Sequence, residues 1–509
     1  MSSSSFVSDG FDLIKKVFYN GLADFSLLFA GIFSSVVLAR LLGPQQWGHY
    51  SQMMWLISFA GILANFGLTY TSMRFVANLS GREDKADIRP LVKWIFIVQL
   101  LLALLTSIVV FLFADQLVSV TGWQVDPILV RITSLGIFSY TLLQLGNAIL
   151  RGLQEFRFLS ILSIFSSGFI LAAILFVLFW PGISTLILAI SIGQFLLLPL
   201  IVRKIRTNLK NIAISSRHPF PEIWKPVLNY TILVFLTTLV DQIVWQRSEI
   251  FFLARLEDPS YSGFYSLSYT ISTLAIGTLP VALTGILTPV FSSMKGAPTN
   301  LHYLFQKSFA YLNLIVFPST VGLIIVAPKL IDCFYGERFL PAVPVLQIIA
   351  GSTAVGICTR PGASILHAQN KPVVLLLSGL VALPVDITLA WILIPSLYAR
   401  GAAIANLVAQ SVCAGLIMGY AIFIVGLRLN LISLLKTIFS SILCGLIARL
   451  FLSLEIPSLF SLLLAVLASS MTYLFSLLLL KDGPTTELLV HLKQLVNQKH
   501  QKSKQHFVT

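Results

Sequence analysis

Long apolar runs separated by short polar segments dominate this chain. Fourteen such runs lie near residues 17–39, 50–70, 94–113, 128–150, 158–179, 185–202, 226–246, 264–291, 308–327, 345–366, 373–394, 402–424, 432–453 and 459–480. The runs at 94–113, 158–179 and 459–480 contain no charged residue, and each is long enough as a helix to cross roughly 30 Å of hydrocarbon. The pattern predicts an all-α polytopic membrane protein with about fourteen transmembrane helices.

The composition excludes a soluble globular protein. Of 509 residues, 57% are hydrophobic and 11% are charged, against roughly 25% charged in soluble domains. Neither a GxxxxGK[ST] loop nor a GxGxxG after a strand is present, so we expect no ATP drive within this chain. The four cysteines lie far apart, with no CxxC and no histidine at metal-binding spacing. We therefore expect no metal site and no cofactor.

The positive charge predicts an orientation. The net charge is +14, and most of the Lys and Arg residues fall on one side of the predicted membrane if the N-terminus is inside. Because basic loops stay in the cytoplasm, both termini are predicted to be cytoplasmic. Membrane orientation explains the basic excess, and we expect no nucleic acid partner.

An internal repeat supports a two-part architecture. Leu38-Ala39-Arg40-Leu41 with Pro44, Gly48, Tyr50 and Ser51 recurs, 215 positions later and without a gap, as Leu253-Ala254-Arg255-Leu256 with Pro259, Gly263, Tyr265 and Ser266. The offset covers six runs, an even number, so the copies run in the same sense and predict two parallel six-helix repeats. The predicted parts are six-helix bundles at 1–210 and 211–430, an extra transmembrane hairpin at 431–480 and a cytoplasmic basic tail at 481–509.

Several of these segments resemble a known family. Ala39-Arg40-Leu41-Leu42-Gly43-Pro44, Asn65-Phe66-Gly67-Leu68, Met73-Arg74-Phe75-Val76-Ala77 and the later Phe334-Tyr335-Gly336 are similar to segments of the polysaccharide and oligosaccharide flippases (Wzx-type) of the multidrug/oligosaccharidyl-lipid/polysaccharide superfamily. The resemblance implies a non-enzymatic, multi-pass protein of the bacterial inner membrane. Such a protein translocates a polyprenyl-pyrophosphate-linked oligosaccharide by alternating access, through a cavity lined chiefly by the first, second, seventh and eighth spans. Membrane lipids and glycan-assembly proteins are its other expected partners.

Two other functions stay open at this stage. One is a cation-coupled drug or metabolite exporter of the same superfamily, for which twelve spans are usual. The other is a membrane-embedded glycan polymerase or ligase, which needs a sizeable polar outer loop for catalytic groups. The fourteen predicted spans and the short loops favour the flippase.

Charges within the spans are the first candidates for a site, because a charge at the centre of a spanning helix costs about 2.5–3.5 kcal/mol. An arginine fork suits a pyrophosphate, which makes Arg247, Arg131 and Arg360 candidate substrate ligands. Arg247 is the first of them, although it sits near a span end, where it can also reach lipid headgroups. Buried carboxylates can take up protons, and the candidates for ion coupling are Asp24, Asp241 and Glu249. Glu249 can meet Arg247 only if the helix stops near Gln246.

Polar and aromatic side chains in the second and eighth spans are candidates for sugar contact. They are Asn65, Tyr70, Tyr265, Tyr269 and Thr273. A hydrated glycan cleft and ordinary hydrogen bonds between helices are equally compatible with this pattern.

Overall fold

The computed structural model describes residues 3–80, 87–210, 220–256, 258–278, 280, 287, 291, 298–369, 371–454 and 458–487, and within them it places the side chains of all but 3–28, 220–224, 298–300 and 458. The described elements are helical, with no strand among them. The predicted all-α class is therefore confirmed. The side chain of Asp24 and most of the predicted basic tail lie outside the described residues.

The α-helices are, in chain order, α1 Ser3–Asn65, α2 Leu68–Ser80, α3 Ile88–Leu112, α4 Ala114–Thr121, α5 Pro127–Gly152, α6 Phe156–Phe179, α7 Ile183–Lys210, α8 Phe220–Val244, α9 Glu249–Leu253, α10 Ser260–Ser272, α11 Pro298–Tyr335, α12 Val343–Cys358, α13 Arg360–Ala368, α14 Pro372–Gly419, α15 Leu431–Leu452 and α16 Ser458–Leu479. Short π-helical segments follow α10 and α14, and a 3₁₀ segment follows α11.

The described part of the chain contains ten helical segments long and apolar enough to span a membrane, and the bent pair α1–α2 would make an eleventh. Many of their apolar side chains are exposed, such as Leu101, Phe179 and Phe475, which is the surface that a bilayer covers. The chain is thus a multi-pass membrane protein. The count of fourteen spans and their arrangement as parallel repeats remain predictions.

Two long helices each contain a break at which helical geometry is lost. In α1 the break is Gly43 (φ 71°, ψ 174°), and it separates the runs predicted at 17–39 and 50–70. Glycine tolerates this positive φ, and the following Pro44 disfavours helical geometry at the residue before it. In α14 the break is Tyr398 (φ 52°, ψ −129°), between the runs predicted at 373–394 and 402–424.

The chain divides into two compact units, residues 1–266 and 267–509. In the first unit, apolar side chains of α2, α3, α5 and α7 form a buried core that includes Val76, Ile95, Ile149 and Leu197. In the second, α15 and α16 pack against each other and against α11. The division of the sequence into bundles at residue 210 stays a prediction.

Within the first unit, the two copies of the repeated motif touch each other. A Cβ atom added to Gly263 would lie 2.5 Å from the carbonyl oxygen of Pro44, and one added to Gly48 would lie 2.7 Å from the carbonyl carbon of Pro259. The contact is reciprocal, since the proline of each copy faces the glycine of the other. Gln52 Nε2 adds a hydrogen bond to Ser262 Oγ at 3.0 Å. The glycines are needed because backbone meets backbone at this point.

Candidate functional site

A cavity of about 480 Å³ lies within the first unit. Its lining residues come from α1, α2, α5, α8, α9 and the segment that links α8 to α9. They are Ser51, Met54, Trp55, Ser58, Gly61, Ile62, Asn65, Thr69, Tyr70, Tyr140, Gln144, Thr238, Gln242, Gln246, Arg247 and Ile250.

The cavity is elongated along α1. The lining positions on that helix recur every three or four residues between Ser51 and Asn65, which places them on one face over roughly 21 Å of helix length. Thr238 and Gln242, four residues apart, line it from α8, and Tyr140 and Gln144 line it from α5. Most of the lining residues have polar side chains, whereas the exposed large side chains on the outer faces of these helices include many apolar ones.

Arg247 reaches the cavity from a turn that interrupts the helix between α8 and α9. Helix α8 ends at Val244 and α9 begins at Glu249, and the hydroxyl of Ser248 donates to the carbonyl oxygen of Ile243 at 2.7 Å within the intervening turn. Arg247 is half-buried, and its Nη1 donates to Ser266 Oγ at 3.1 Å. The helix therefore ends near Gln246, which is the condition under which Arg247 and Glu249 could meet.

The junction of α1 and α2 forms the other end of the cavity. Phe66 and Gly67 have positive φ angles of 45° and 79°. Asn65 Oδ1 accepts hydrogen bonds from the backbone N–H of Thr69 at 3.1 Å and its hydroxyl at 2.6 Å. This side chain therefore caps the first turn of α2 while it lines the cavity.

This junction packs tightly on α8. A Cβ atom added to Gly67 would lie 2.5 Å from the carbonyl oxygen of Thr231. The ring of Phe66 stacks on that of Phe235 with centroids 4.4 Å apart. Glycine contacts between backbone segments thus lie beyond both ends of the cavity, one at Gly48 and Gly263 and one at Gly67.

Aromatic rings form the rigid part of the wall. Trp55 stacks on Phe59 with centroids 5.1 Å apart and also contacts the rings of Trp123 at 5.9 Å and Phe251 at 5.8 Å. Tyr140 lies against Gly61, where an added Cβ atom would be 3.2 Å from the ring. These packed neighbours fix the ring planes before any ligand arrives.

Three of the predicted site residues, Asn65, Tyr70 and Arg247, line the cavity together. Sequence reasoning missed Trp55, Tyr140, Gln144, Gln242 and Gln246. The three glutamines could have been predicted, because their amide side chains interrupt otherwise apolar runs, but the candidate ligands within the spans were chosen mainly by formal charge. Nothing in the sequence distinguishes Trp55 and Tyr140 as site residues, since an aromatic residue in a span is most often a packing residue.

Two predicted residues are held inside the protein, away from the cavity. Tyr265 and Glu249 are both fully buried, and the Tyr265 hydroxyl donates to Glu249 Oε2 at 2.7 Å. This pair ties α9 to α10. Sugar contact at Tyr265 and ion coupling at Glu249 remain predictions.

The other predicted residues lie elsewhere. Arg131, near the start of α5, forms an ion pair with Asp115 at 2.5 Å and is 36% exposed. Asp241 is exposed and is not among the lining residues. Arg360, Tyr269 and Thr273 belong to the second unit: Arg360 begins α13, and Thr273 begins a π-helical segment. No group of three His, Cys, Asp or Glu side chains within the described ranges could hold a metal ion.

The electrostatic character of the cavity follows from its lining. Arg247 carries the one formal charge among the described lining residues, and no Asp or Glu is among them. The remaining polar groups are amides and hydroxyls. The cavity therefore suits a ligand with an anionic group and many hydroxyl groups.

Comparison with known proteins places the chain in a family. Residues 37–344 match the family model described as polysaccharide biosynthesis protein. An uncharacterized membrane protein in the cps region of Klebsiella pneumoniae is 24% identical over 70% of this chain and 71% of its own length. The lipopolysaccharide biosynthesis protein WzxC of Escherichia coli (strain K12) is 22% identical over 69% of this chain and 69% of its own.

The fold is similar to that of a solved lipid II flippase, MurJ, in its inward closed conformation. The TM-score is 0.75 at 17% sequence identity, and the match covers 91% of this chain and 99% of that one. The resemblance expected from the sequence is confirmed, because the family model matches more than half of the chain. The chain belongs to the polysaccharide biosynthesis protein family.

Proposed function

We propose that this protein is a flippase that moves a polyprenyl-pyrophosphate-linked oligosaccharide from the cytoplasmic to the outer leaflet of the bacterial inner membrane. The observation that carries the proposal is the cavity in the first unit, which has a guanidinium at one end and a wall of amides, hydroxyls and aromatic rings. In this proposal both termini are cytoplasmic, and the protein moves its substrate without breaking or forming bonds.

The chemistry of the wall fits the two parts of such a substrate. The guanidinium of Arg247 offers paired donors to a pyrophosphate and stays protonated at any working pH. Gln144, Gln242 and Asn65 can donate to and accept from sugar hydroxyls. A hydroxyl moved into hydrocarbon without a partner costs about 4–8 kcal/mol, so a glycan crosses the bilayer only if such groups replace water.

The names of the relatives agree with this substrate class. WzxC is named for lipopolysaccharide biosynthesis, and MurJ is named as a flippase of lipid II. The lining also favours a glycan lipid over a cationic drug. A cationic cargo would be attracted by carboxylates, and the described lining residues include none.

The two glycine contacts support an alternating-access cycle. In the predicted topology, the contact of Gly48 with Gly263 faces the periplasm and the contact of Gly67 with Thr231 faces the cytoplasm. We infer that opening the Gly67 contact admits substrate and that opening the repeat-motif contact releases it. Backbone contacts suit this role because packed interfaces have discrete closed and open states rather than a continuous range.

The role of Arg247 can be tested by replacement. Arg247→Ala is expected to lower surface glycan at least tenfold at normal protein level, because the pyrophosphate loses its charged partner. Arg247→Lys should rescue part of the activity, since lysine restores the charge without the planar fork. The matched control is Arg131→Ala, which removes an arginine that pairs with Asp115 away from the cavity. Normal export by the Arg247→Ala variant would reject the proposed site.

A further inference from the structure

The end of α7 carries a second cavity, of about 480 Å³, that the flippase cavity does not include. It is lined by Pro199, Val202, Arg203, Arg206, Thr207 and Lys210. The three basic side chains follow one another at intervals of three and four residues, so they lie on one face of the helix over roughly 10 Å. All three are exposed.

These three cations are not neutralised by other described residues. The neighbouring Lys204 is different, because its Nζ lies 3.0 Å from Glu155 Oε2. Among the ion pairs of the described residues, none involves Arg203, Arg206 or Lys210. Attraction to the helix dipole accounts for the position of Lys210 alone, since that effect is confined to the last turn of the helix. Arg203 and Arg206 are therefore available to an anionic partner.

The same face of α7 is apolar on the other side of Pro199. Ile192 is 50% exposed and Leu196 is 53% exposed, and with Pro199 they continue the stripe at the same helical spacing. One face of one helix thus presents an apolar half followed by a cationic half. An acyl chain can contact the first half while a phosphate headgroup contacts the second.

We propose that this groove on α7, from Ile192 to Lys210, is a binding site for an anionic phospholipid. The phosphate lies between Arg203, Arg206 and Lys210, and an acyl chain lies along Leu196 and Pro199. The stretch of cations is longer than a single phosphate needs, so a lipid with two phosphates is expected to bind more tightly than one with a single phosphate. This site is independent of the proposed transport function.

The experiment compares lipid binding by the purified full-length protein and the triple variant Arg203→Gln/Arg206→Gln/Lys210→Gln, measured by native mass spectrometry. The probes are phosphatidylglycerol, cardiolipin and phosphatidylcholine. We expect wild type to retain cardiolipin and phosphatidylglycerol but not phosphatidylcholine, and the triple variant to bind both anionic lipids at least tenfold more weakly. Lys204→Gln is the matched control. It removes a charge from the same end of the helix, but Glu155 already neutralises that charge.

Four outcomes would overturn the assignment. They are equal binding of anionic lipid by wild type and the triple variant, an equal loss with Lys204→Gln, displacement of phosphatidylglycerol by millimolar inorganic pyrophosphate, and binding of a polyprenyl diphosphate that is stronger than that of cardiolipin in wild type and is lost in the triple variant. The third would indicate a site for free phosphate, and the fourth a site for the carrier lipid. Should the triple variant fail to accumulate, Arg206→Glu alone is expected to give the same direction of change.

Discussion

Gly263 is the position at which one added methyl group tests the proposed closure of the cavity. In Gly263→Ala, the new Cβ atom would lie 2.5 Å from the carbonyl oxygen of Pro44, 3.2 Å from the nitrogen of Gly48 and 3.4 Å from its Cα atom. All three neighbours are backbone atoms, so no side chain can rotate away. Restoring ordinary contact of 3.4 Å to the Pro44 oxygen requires the two segments to separate by about 0.9 Å.

The magnitude follows from the cost of overpacking, which is typically about 1–3 kcal/mol. A factor of ten in an equilibrium corresponds to about 1.4 kcal/mol. A penalty of about 2 kcal/mol on the closed contact therefore shifts the ratio of closed to open by roughly thirtyfold toward the open state. Export should fall as well, because a flippase that cannot close this end cannot complete its cycle.

The assay measures access to a cysteine placed in the cavity. Ser58→Cys is introduced into a chain whose native cysteines, Cys333, Cys358, Cys413 and Cys444, are replaced by alanine. A membrane-impermeant maleimide is then added from the periplasmic side. We expect Gly263→Ala to raise the labelling rate at least tenfold. The control is Gly31→Ala on α1, because a Cβ atom there would meet no heavy atom within 4 Å.

Equal labelling rates in Gly263→Ala and Gly31→Ala would refute the reasoning. If Gly263→Ala does not accumulate, Gln52→Ala provides a milder perturbation of the same contact. It removes the hydrogen bond to Ser262, worth about 1 kcal/mol, so labelling should rise about fivefold.

The remaining predictions concern the other end of the cavity, its wall and its coupling. Gly67→Ala should raise labelling of the same cysteine from the cytoplasmic side, because it places a Cβ atom 2.5 Å from the Thr231 carbonyl oxygen at a positive φ; unchanged labelling would argue against a contact that opens there. Tyr140→Ala should lower glycan export about tenfold at normal protein level, since a fixed ring face is lost, whereas full export would remove Tyr140 from the site. Asn variants of Asp24 and Asp241 should abolish any response of transport to an imposed pH gradient, and a retained response would reject proton coupling at those two residues.

The class of fold was predictable because the bilayer imposes a strong hydrophobic pattern on the sequence. A helix that must satisfy its backbone inside hydrocarbon needs a long apolar run, and such runs are visible in the sequence. The helix boundaries were less predictable. The structure continues helix α1 through two predicted spans with only Gly43 as a break, because a single residue with positive φ can redirect a chain without a polar loop.

The site was predictable only in part. Asn65 and Tyr70, predicted to contact sugar, share a cavity with Arg247, predicted to bind the pyrophosphate. The buried pairing of Glu249 with Tyr265 could not be foreseen, because it depends on the turn that follows α8. The contact between the repeated motifs was also hidden. The repeat marks both segments in the sequence, but only tertiary packing brings Gly48 and Gly263 together.

The most direct test of the account is lipid translocation by the purified protein in sealed vesicles. A polyprenyl-pyrophosphate-linked oligosaccharide is placed in one leaflet, and its appearance in the other is followed with an impermeant glycosidase. The account predicts that wild type exposes the glycan on the far side and that Arg247→Ala does so at least tenfold more slowly. Equal glycan exposure in wild-type and protein-free vesicles would contradict it.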